Sequence, residues 1–466
     1  MGGINMTCNI LSFEIKGLYG VRDFLVELSD NKVILVGENG SGKTTVSRII
    51  YATLSCNWDM LRAYPFEKVS INFDDESVEI TSNILNDIFA TPDIDRIEYL
   101  IDRRWRRRSL DGFISTVLDA KKQYDTSDRK NETIYSKQIK ASIPYEYISD
   151  VINNPNINTL YQITQKIQSK FKSKILYLPT YRRIEDQLKT IFPDVESDVW
   201  ERARRRINSE KVVELVEFGM DDVERLVTRE QDNLKSFSQT RQNKLTLGYL
   251  SEIVSKSYDK SSSYTKIRQL SDAEILEALR RIDSTILSDE MKQKVLDILN
   301  SVRTNHKHSY SAQVKIVCHY FMQLMAFNQE ITAAEQHIRN FQEKCNNYLI
   351  SNQIIYNSQD FTCQLLNKVD DQFNTENTIR FQNLSSGEKQ IVSLFSHLYL
   401  DKDTSLFVFI DEPELSLSVD WQRTFLPDIV NSPNCIGLIA TTHSPFIFDN
   451  ELENVVHGIN EFCMRG

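Results

Sequence analysis

The sequence predicts an α/β protein whose two ends carry sheet and whose middle is a large helical insertion. Three observations point there. Short alternating apolar stretches fill the first eighty residues, helix-period patterns dominate from about Ser82 to Glu376, and strand and helix signals alternate again beyond Glu376. With 466 residues, 41% hydrophobic and 26% charged, the chain has room for more than one core and the balance of a folded soluble protein.

Each element has its own signal. Asn9 to Ile15 and Phe24 to Leu28 alternate, and Lys32 to Val36 is an apolar run that ends in a Gly-rich turn. Val69 to Phe73 and Ser77 to Thr81 flank an Asp-Asp-Glu turn and read as a hairpin. Residues 1–81 therefore form one sheet-bearing part, 82–376 the mainly helical insertion, and 377–466 a closing α/β part. One strand interrupts the insertion near 175–178, in KILYLPTYRRIED. Coiled-coil-like helices are expected at about 211–257 and 311–349. In the second, Val317, Leu324, Ile331, Ile338 and Cys345 repeat at one seam position and Tyr320, Phe327, Ala334, Phe341 and Tyr348 at the other. The partner stripe is Val216, Val223, Val227, Leu234 and Phe237, interrupted by Glu230. A packed helical domain without supercoil fits the same pattern. Ser271 and Glu274 form a capping box ahead of the apolar face of Ile275, Leu276, Leu279 and Ile282.

A net charge of −10 argues against attraction to nucleic acid over the whole surface but permits a local basic stripe. Two arginine clusters could supply one: RRWRRR at 103–108, where Trp105 could stack on a base, and RARRR at 202–206. A solvated helical face, an acidic protein partner and DNA remain open for them. Seven scattered cysteines without CxxC spacing favour neither a disulfide framework nor a zinc site, so a reducing cytoplasm is expected. No leader and no apolar run long enough to span a membrane is visible, so no membrane partner is expected.

The chemistry concentrates in three stretches. VGENGSGKTT, Val36 to Thr45, follows an apolar strand and opens a helix, which is the setting of a phosphate-binding P-loop. Gly37, Asn39, Gly40, Ser41, Gly42 and Thr45 would cradle phosphates with backbone amides, Lys43 would reach the β and γ phosphates of ATP, and Thr44 would hold Mg²⁺. LFVFIDEP, Leu406 to Pro413, ends a buried strand in two carboxylates: Asp411 suits Mg²⁺ and Glu412 suits polarising the attacking water. His443 in ATTHSP follows the next apolar strand and could approach the γ-phosphate. Lys43, Glu412 and His443 are the expected catalytic set.

LSSGEKQ, Leu384 to Gln390, completes a recognisable order. These motifs resemble the ABC-type ATPases of the OLD, RecF and SMC-like group, whose head pairs an antiparallel β lobe with a P-loop α/β lobe. The resemblance implies that Ser385, Ser386, Gly387 and Glu388 contact ATP held by the P-loop of another subunit, making the protein its own partner in a dimer. Asp420, in LSLSVD after Glu414, takes the place of a cross-subunit loop, and Gln187 is the candidate for the glutamine-bearing loop that reaches the metal. Ser386 stands where many relatives have glycine.

Lys43 and Ser385 lie roughly 340 residues apart, too far for a transporter ATPase and too near for a full SMC arm. YLPTYRRIE and VEFGMDDVERL inside the insertion resemble the AriA family, the ATPases of PARIS anti-phage systems. That likeness implies a higher oligomer such as a hexamer, a phage-encoded trigger, which the arginine clusters would let be acidic, and a separate Toprim nuclease effector of the AriB type. Only about twenty residues follow the His motif, so no nuclease domain is expected in this chain. A Septu-type ATPase with an HNH nuclease shares the same site residues, and a RecF- or SMC-like repair ATPase would use the two arginine clusters to grip duplex DNA.

Overall fold

The structure, a computed structural model, describes residues 9–89, 155–178, 212–214, 220–259, 263–281, 287–304, 310–369, 372–402 and 404–465. Gln187 and the arginine clusters 103–108 and 202–206 lie outside the described residues. The chain divides into two compact units, Met1–Glu217 with Lys402–Gly466, and Phe218–Asp401. Strands run in the order β1 (Ile10–Leu18), β2 (Arg22–Glu27), β3 (Lys32–Val36), β4 (Lys68–Phe73), β5 (Ser77–Thr81), β6 (Lys174–Leu178) and β7 (Val212–Glu214). Three follow in the second unit, β8 (Asn352–Asn357), β9 (Thr362–Val369) and β10 (Gln372–Ile379). The chain closes with β11 (Leu406–Asp411), β12 (Cys435–Thr442), β13 (Val456–Gly458) and β14 (Cys463–Arg465).

The first unit holds two sheets. One is antiparallel in the order β14-β2-β1-β4-β5, and the other is parallel in the order β13-β3-β12-β11-β6-β7. Every residue of β11 is buried, as expected of a parallel strand covered on both faces. Register puts Thr442 beside Val36 and Asp411 beside Thr441, so the carboxyl ends of β3, β12 and β11 finish level. Gly437 lets β12 enter this sheet: a Cβ there would stand 2.4 Å from the Phe407 ring and 2.8 Å from the Asn31 carbonyl. Against the sheet packs the helix Lys43–Leu54, burying Val46, Ile49, Ile50 and Tyr51. Tyr51 stacks on Tyr177 at 4.4 Å and meets Phe409 edge-on at 5.7 Å, which fixes the helix over β6 and β11.

In the second unit the helices Asp221–Val254 and Ala312–Asn346 run antiparallel. Arg241 pairs with Glu330 at 3.0 Å, while His319 meets Glu252 at 2.6 Å further along. Leu324, Ile331, Ile338 and Cys345 are buried as one column. The second expected column drifts. Tyr320 is exposed and Phe327 and Ala334 are half-buried, whereas Phe321, Asn328 and Glu335 take the buried places until Phe341 and Tyr348 resume them. A helix of 3.6 residues per turn slips about 20° per heptad against a 3.5 repeat, and its amino-terminal half is claimed by other neighbours. Ile267, Ile275, Leu279, Leu299 and Val302 of three shorter helices close on Cys318, Phe321, Leu324 and Met325. The capping box at Ser271 is formed, but Leu276 is exposed, with Ala278 buried beside Ile275 and Leu279. Glu230 does not break the partner stripe; it is buried with it. An antiparallel meander, β10-β9-β8, occupies a stretch expected to be mainly helical. LSSGEKQ and its helix Ser386–Leu400 belong to this second unit rather than to the closing α/β part. Among the described residues no helix is long and apolar enough to cross a membrane.

Candidate active site

The level ends of β3, β12 and β11 bring together residues from both termini of the chain. After Val36 the backbone turns through Gly40 at φ 79° and Gly42 at φ 104°, left-handed conformations that glycine adopts without a Cβ penalty. Ser41 N–H closes the loop onto the Glu38 carbonyl at 3.2 Å, and Val46 N–H onto Gly42 begins the helix at 2.9 Å. Gly42 is the N-cap and has no side chain to cap with, which leaves first-turn amides for an anion. Arg22, at the start of β2, donates to the Ser41 carbonyl at 3.2 Å from the rim.

Lys43 is 4% exposed. Its ammonium donates to the carbonyls of Gly37 at 2.8 Å and Glu38 at 3.0 Å, and stands 2.9 Å from His443 Nε2. With the ammonium as donor, Nε2 accepts and the ring proton sits on Nδ1. Burial lowers the Lys43 pKa from its ordinary value, and the nearby Glu412, Asp411 and Glu414 oppose that shift.

Asp411, 1% exposed at the end of β11, accepts from Thr44 Oγ1 at 3.1 Å and from the Thr441 hydroxyl. A hydroxyl beside a buried carboxylate is a hard-oxygen pair suited to Mg²⁺, which takes few protein oxygens and completes its shell with phosphate and water. Among the described residues no cluster of three or more His, Cys, Asp or Glu forms an all-protein metal cage. Glu412 follows in a left-handed conformation, φ 53° and ψ 61°, uncommon for a residue with a Cβ and characteristic of functional turns. Its carboxylate lies 3.7 Å from His443 Nε2. Burial raises its pKa above the usual carboxylate value, Asp411 and Glu414 add to the rise, and His443 and Lys43 oppose it.

Lys43, Thr44, Asp411, Glu412 and His443 thus converge. The signature forms its own structure in the second unit. Ser385 is the N-cap of Ser386–Leu400, its hydroxyl donating to Glu388 Oε2 at 2.7 Å and accepting from Glu388 N–H at 3.4 Å. Glu388 Oε1 also accepts from Asn352 at 2.9 Å. Asp420 is exposed in the first turn of the helix Val419–Val430. Thr441, Glu414, Gln422 and Ser444 are polar groups around this site that motif reading passed over. Their signal was present in the Thr-Thr pair of ATTHSP and the further carboxylate of DEPE.

A P-loop, a buried Asp–Thr pair, a glutamate and a histidine on adjacent parallel strand ends define a P-loop ATPase. The profile of the family described as AAA ATPase domain matches residues 9–448, and the chain belongs to that family. No curated protein matches the sequence. Among solved structures, the chain is similar to an Smc head domain with an extended coiled coil bound to the C-terminal domain of ScpA, derived from Pyrococcus furiosus. That likeness has 14% identity, 95% of this chain and 91% of the other covered, and a TM-score of 0.32. An Smc head bound to the winged-helix domain of ScpA matches at 12% identity over 94% and 90%, TM-score 0.32. An Smc head with a coiled coil and joint from Pyrococcus yayanosii matches at 14% over 95% and 93%, TM-score 0.29.

Proposed function

We propose that the chain hydrolyses ATP with Mg²⁺ at the strand-end site and that a second copy's Ser385, Ser386, Gly387 and Glu388 complete the enclosure. The observation that carries the proposal is the convergence of Lys43, Asp411, Glu412 and His443 on three adjacent strand ends. Gly37 to Thr45 would bind the phosphates, and Lys43 would offset their charge. Mg²⁺, held by Thr44 and Asp411, would supply further charge neutralisation. Glu412, beside the imidazole of His443, would orient and polarise water, because positioning and electrostatics dominate phosphoryl transfer.

Glu412→Gln is expected to keep nucleotide binding and slow phosphate release by about 10²- to 10³-fold. It should also lengthen the life of a nucleotide-bound dimer in sedimentation. Wild-type turnover in that variant would remove Glu412 from the mechanism. The wider role we propose is that of a cytoplasmic anti-phage scaffold, supported by the AriA-like stretches of the sequence. In it, the assembled ATPase holds a separate Toprim nuclease and releases it when a phage product is sensed. Co-purification of the neighbouring gene's product with this chain tests that role, and an HNH nuclease in its place would favour the Septu-type alternative.

A further inference from the structure

Glu414 is not among the groups expected to face phosphate, yet its carboxylate closes on the loop that presents His443. Oε2 accepts from Thr442 Oγ1 at 2.9 Å and Oε1 from the backbone N–H of His443 at 2.7 Å. Thr442 Oγ1 itself accepts from Ser444 N–H at 3.0 Å, and the Ser444 hydroxyl donates to Gln422 Oε1 at 2.6 Å. The Gln422 amide then donates to the Leu417 carbonyl at 3.1 Å. Thr442 is fully buried and Gln422 is 7% exposed, so the links through these two side chains are shielded from water and a missing partner there is costly, while the bond to His443 N–H lies at the exposed edge of the network.

Both carboxylate oxygens are spent on two consecutive residues, one through its side chain and the other through its backbone. With the backbone of residue 443 held on this side and β12 on the other, only the two side-chain torsions of His443 remain to place Nε2. Glu412, by contrast, faces the imidazole itself. The far end of the network lies in the segment 415–420, where Leu415 is 55% and Val419 48% exposed.

Resting on the proposed ATPase site and on the sequence expectation that His443 approaches the γ-phosphate there, we infer that Glu414 is a positioning residue for His443. The Glu414–Thr442–Ser444–Gln422 network couples the exposed segment 415–420 to that imidazole. A one-ångström displacement of a reacting group can cost about 100-fold in rate, so the effect belongs in turnover and not in affinity.

The test uses the full chain and compares Glu414→Ala, Glu414→Gln, Ser444→Ala, His443→Ala and the double variant Glu414→Ala with His443→Ala. Steady-state ATP hydrolysis and the affinity for a fluorescent ATP analogue are measured for each. Glu414→Ala should lower kcat about 10- to 100-fold with analogue affinity within about twofold of wild type. The double variant should be no slower than His443→Ala alone. Glu414→Gln should recover part of the rate, since its carbonyl still accepts from His443 N–H, and it stands in if the alanine variant does not fold. Ser444→Ala should lower kcat several-fold, and an unchanged kcat there overturns the link to 415–420. Multiplying losses in the double variant, or a folded Glu414→Ala at wild-type kcat while His443→Ala is slow, overturns the positioning role alone. A fast His443→Ala overturns the role proposed for the imidazole as well.

Discussion

The strand-end site of the first unit and the serine-glycine tip of the second are made from the same few groups, hydroxyls, carboxylates and bare backbone, but at opposite ranges. Thr44 and Asp411 are 367 positions apart, and Lys43 and His443 are 400 apart. They meet because β3, β12 and β11 are neighbours in one sheet. Ser385 and Glu388 are three apart and satisfy one another. The first geometry exists only once the sheet has formed; the second is a cap that a helix makes from its own residues. On the proposed reading, a phosphate at the P-loop would find groups oriented by the fold, whereas one at Ser385 would have to displace a carboxylate already in hydrogen-bond contact.

The largest effect expected from this contrast is at Lys43. Replacement by alanine removes the cation held inside the loop and leaves the Gly37 and Glu38 carbonyls facing the proposed phosphate site. Charged hydrogen bonds contribute about 1.5–3 kcal/mol each, so losing contacts to two phosphates predicts about 3–6 kcal/mol and no measurable binding of a fluorescent ATP analogue. Affinity within threefold of wild type would show that the phosphates sit elsewhere.

The sequence was most legible where one signal sufficed. Apolar runs marked β3, β11 and β12, and glycines at fixed offsets marked the loop, so Lys43, Asp411 and His443 could be named before their partners were known. Thr441, Glu414 and Gln422 were less legible: the Thr-Thr pair and the further carboxylate stand in the sequence, but their partners lie 22 to 30 residues away and no spacing along the chain encodes them. In the second unit the errors had a different source. Glu230 reads as a break in an apolar stripe, yet it is buried within the packing, and Glu335 is buried where the heptad places Ala334. The alternation of Asn352, Ile354 and Tyr356 does mark the buried face of β8, but it is a short run beside a 35-residue helix.

Glu335 sharpens the comparison as the second unit's counterpart of Asp411, a buried carboxylate whose arginine contacts all fall on Oε2. It is 0% exposed and accepts from Arg339 at 2.8 Å and 3.1 Å and from Arg281 at 3.3 Å, with Arg281 itself 11% exposed. Burial and the same carboxylate push the Tyr356 phenol above its usual range, keeping it protonated. Removing one partner of a buried ion pair costs about 3–5 kcal/mol because the other charge is stranded. Glu335→Ala should lower the urea midpoint of the second unit accordingly, with ATP-analogue affinity per folded molecule unchanged. A loss below about 1 kcal/mol would mean that water reaches the cluster.

The smallest effect on stability, and the sharpest on function, is expected at Ser385. Alanine there removes the cap and costs about 1 kcal/mol, whereas asparagine caps a helix about as well as serine and costs little. If the hydroxyl serves only the helix, Ser385→Asn should hydrolyse ATP at the wild-type rate. If it serves a neighbour's γ-phosphate, Ser385→Asn should be stable, bind the analogue normally and turn over slowly. Mixing it with Lys43→Ala then discriminates further, because a pair built from the two contains one intact P-loop facing one intact tip. Part of the wild-type activity should return in the mixture, and its absence, with mixed dimers demonstrated by differential tagging, would confine Ser385 to its local cap.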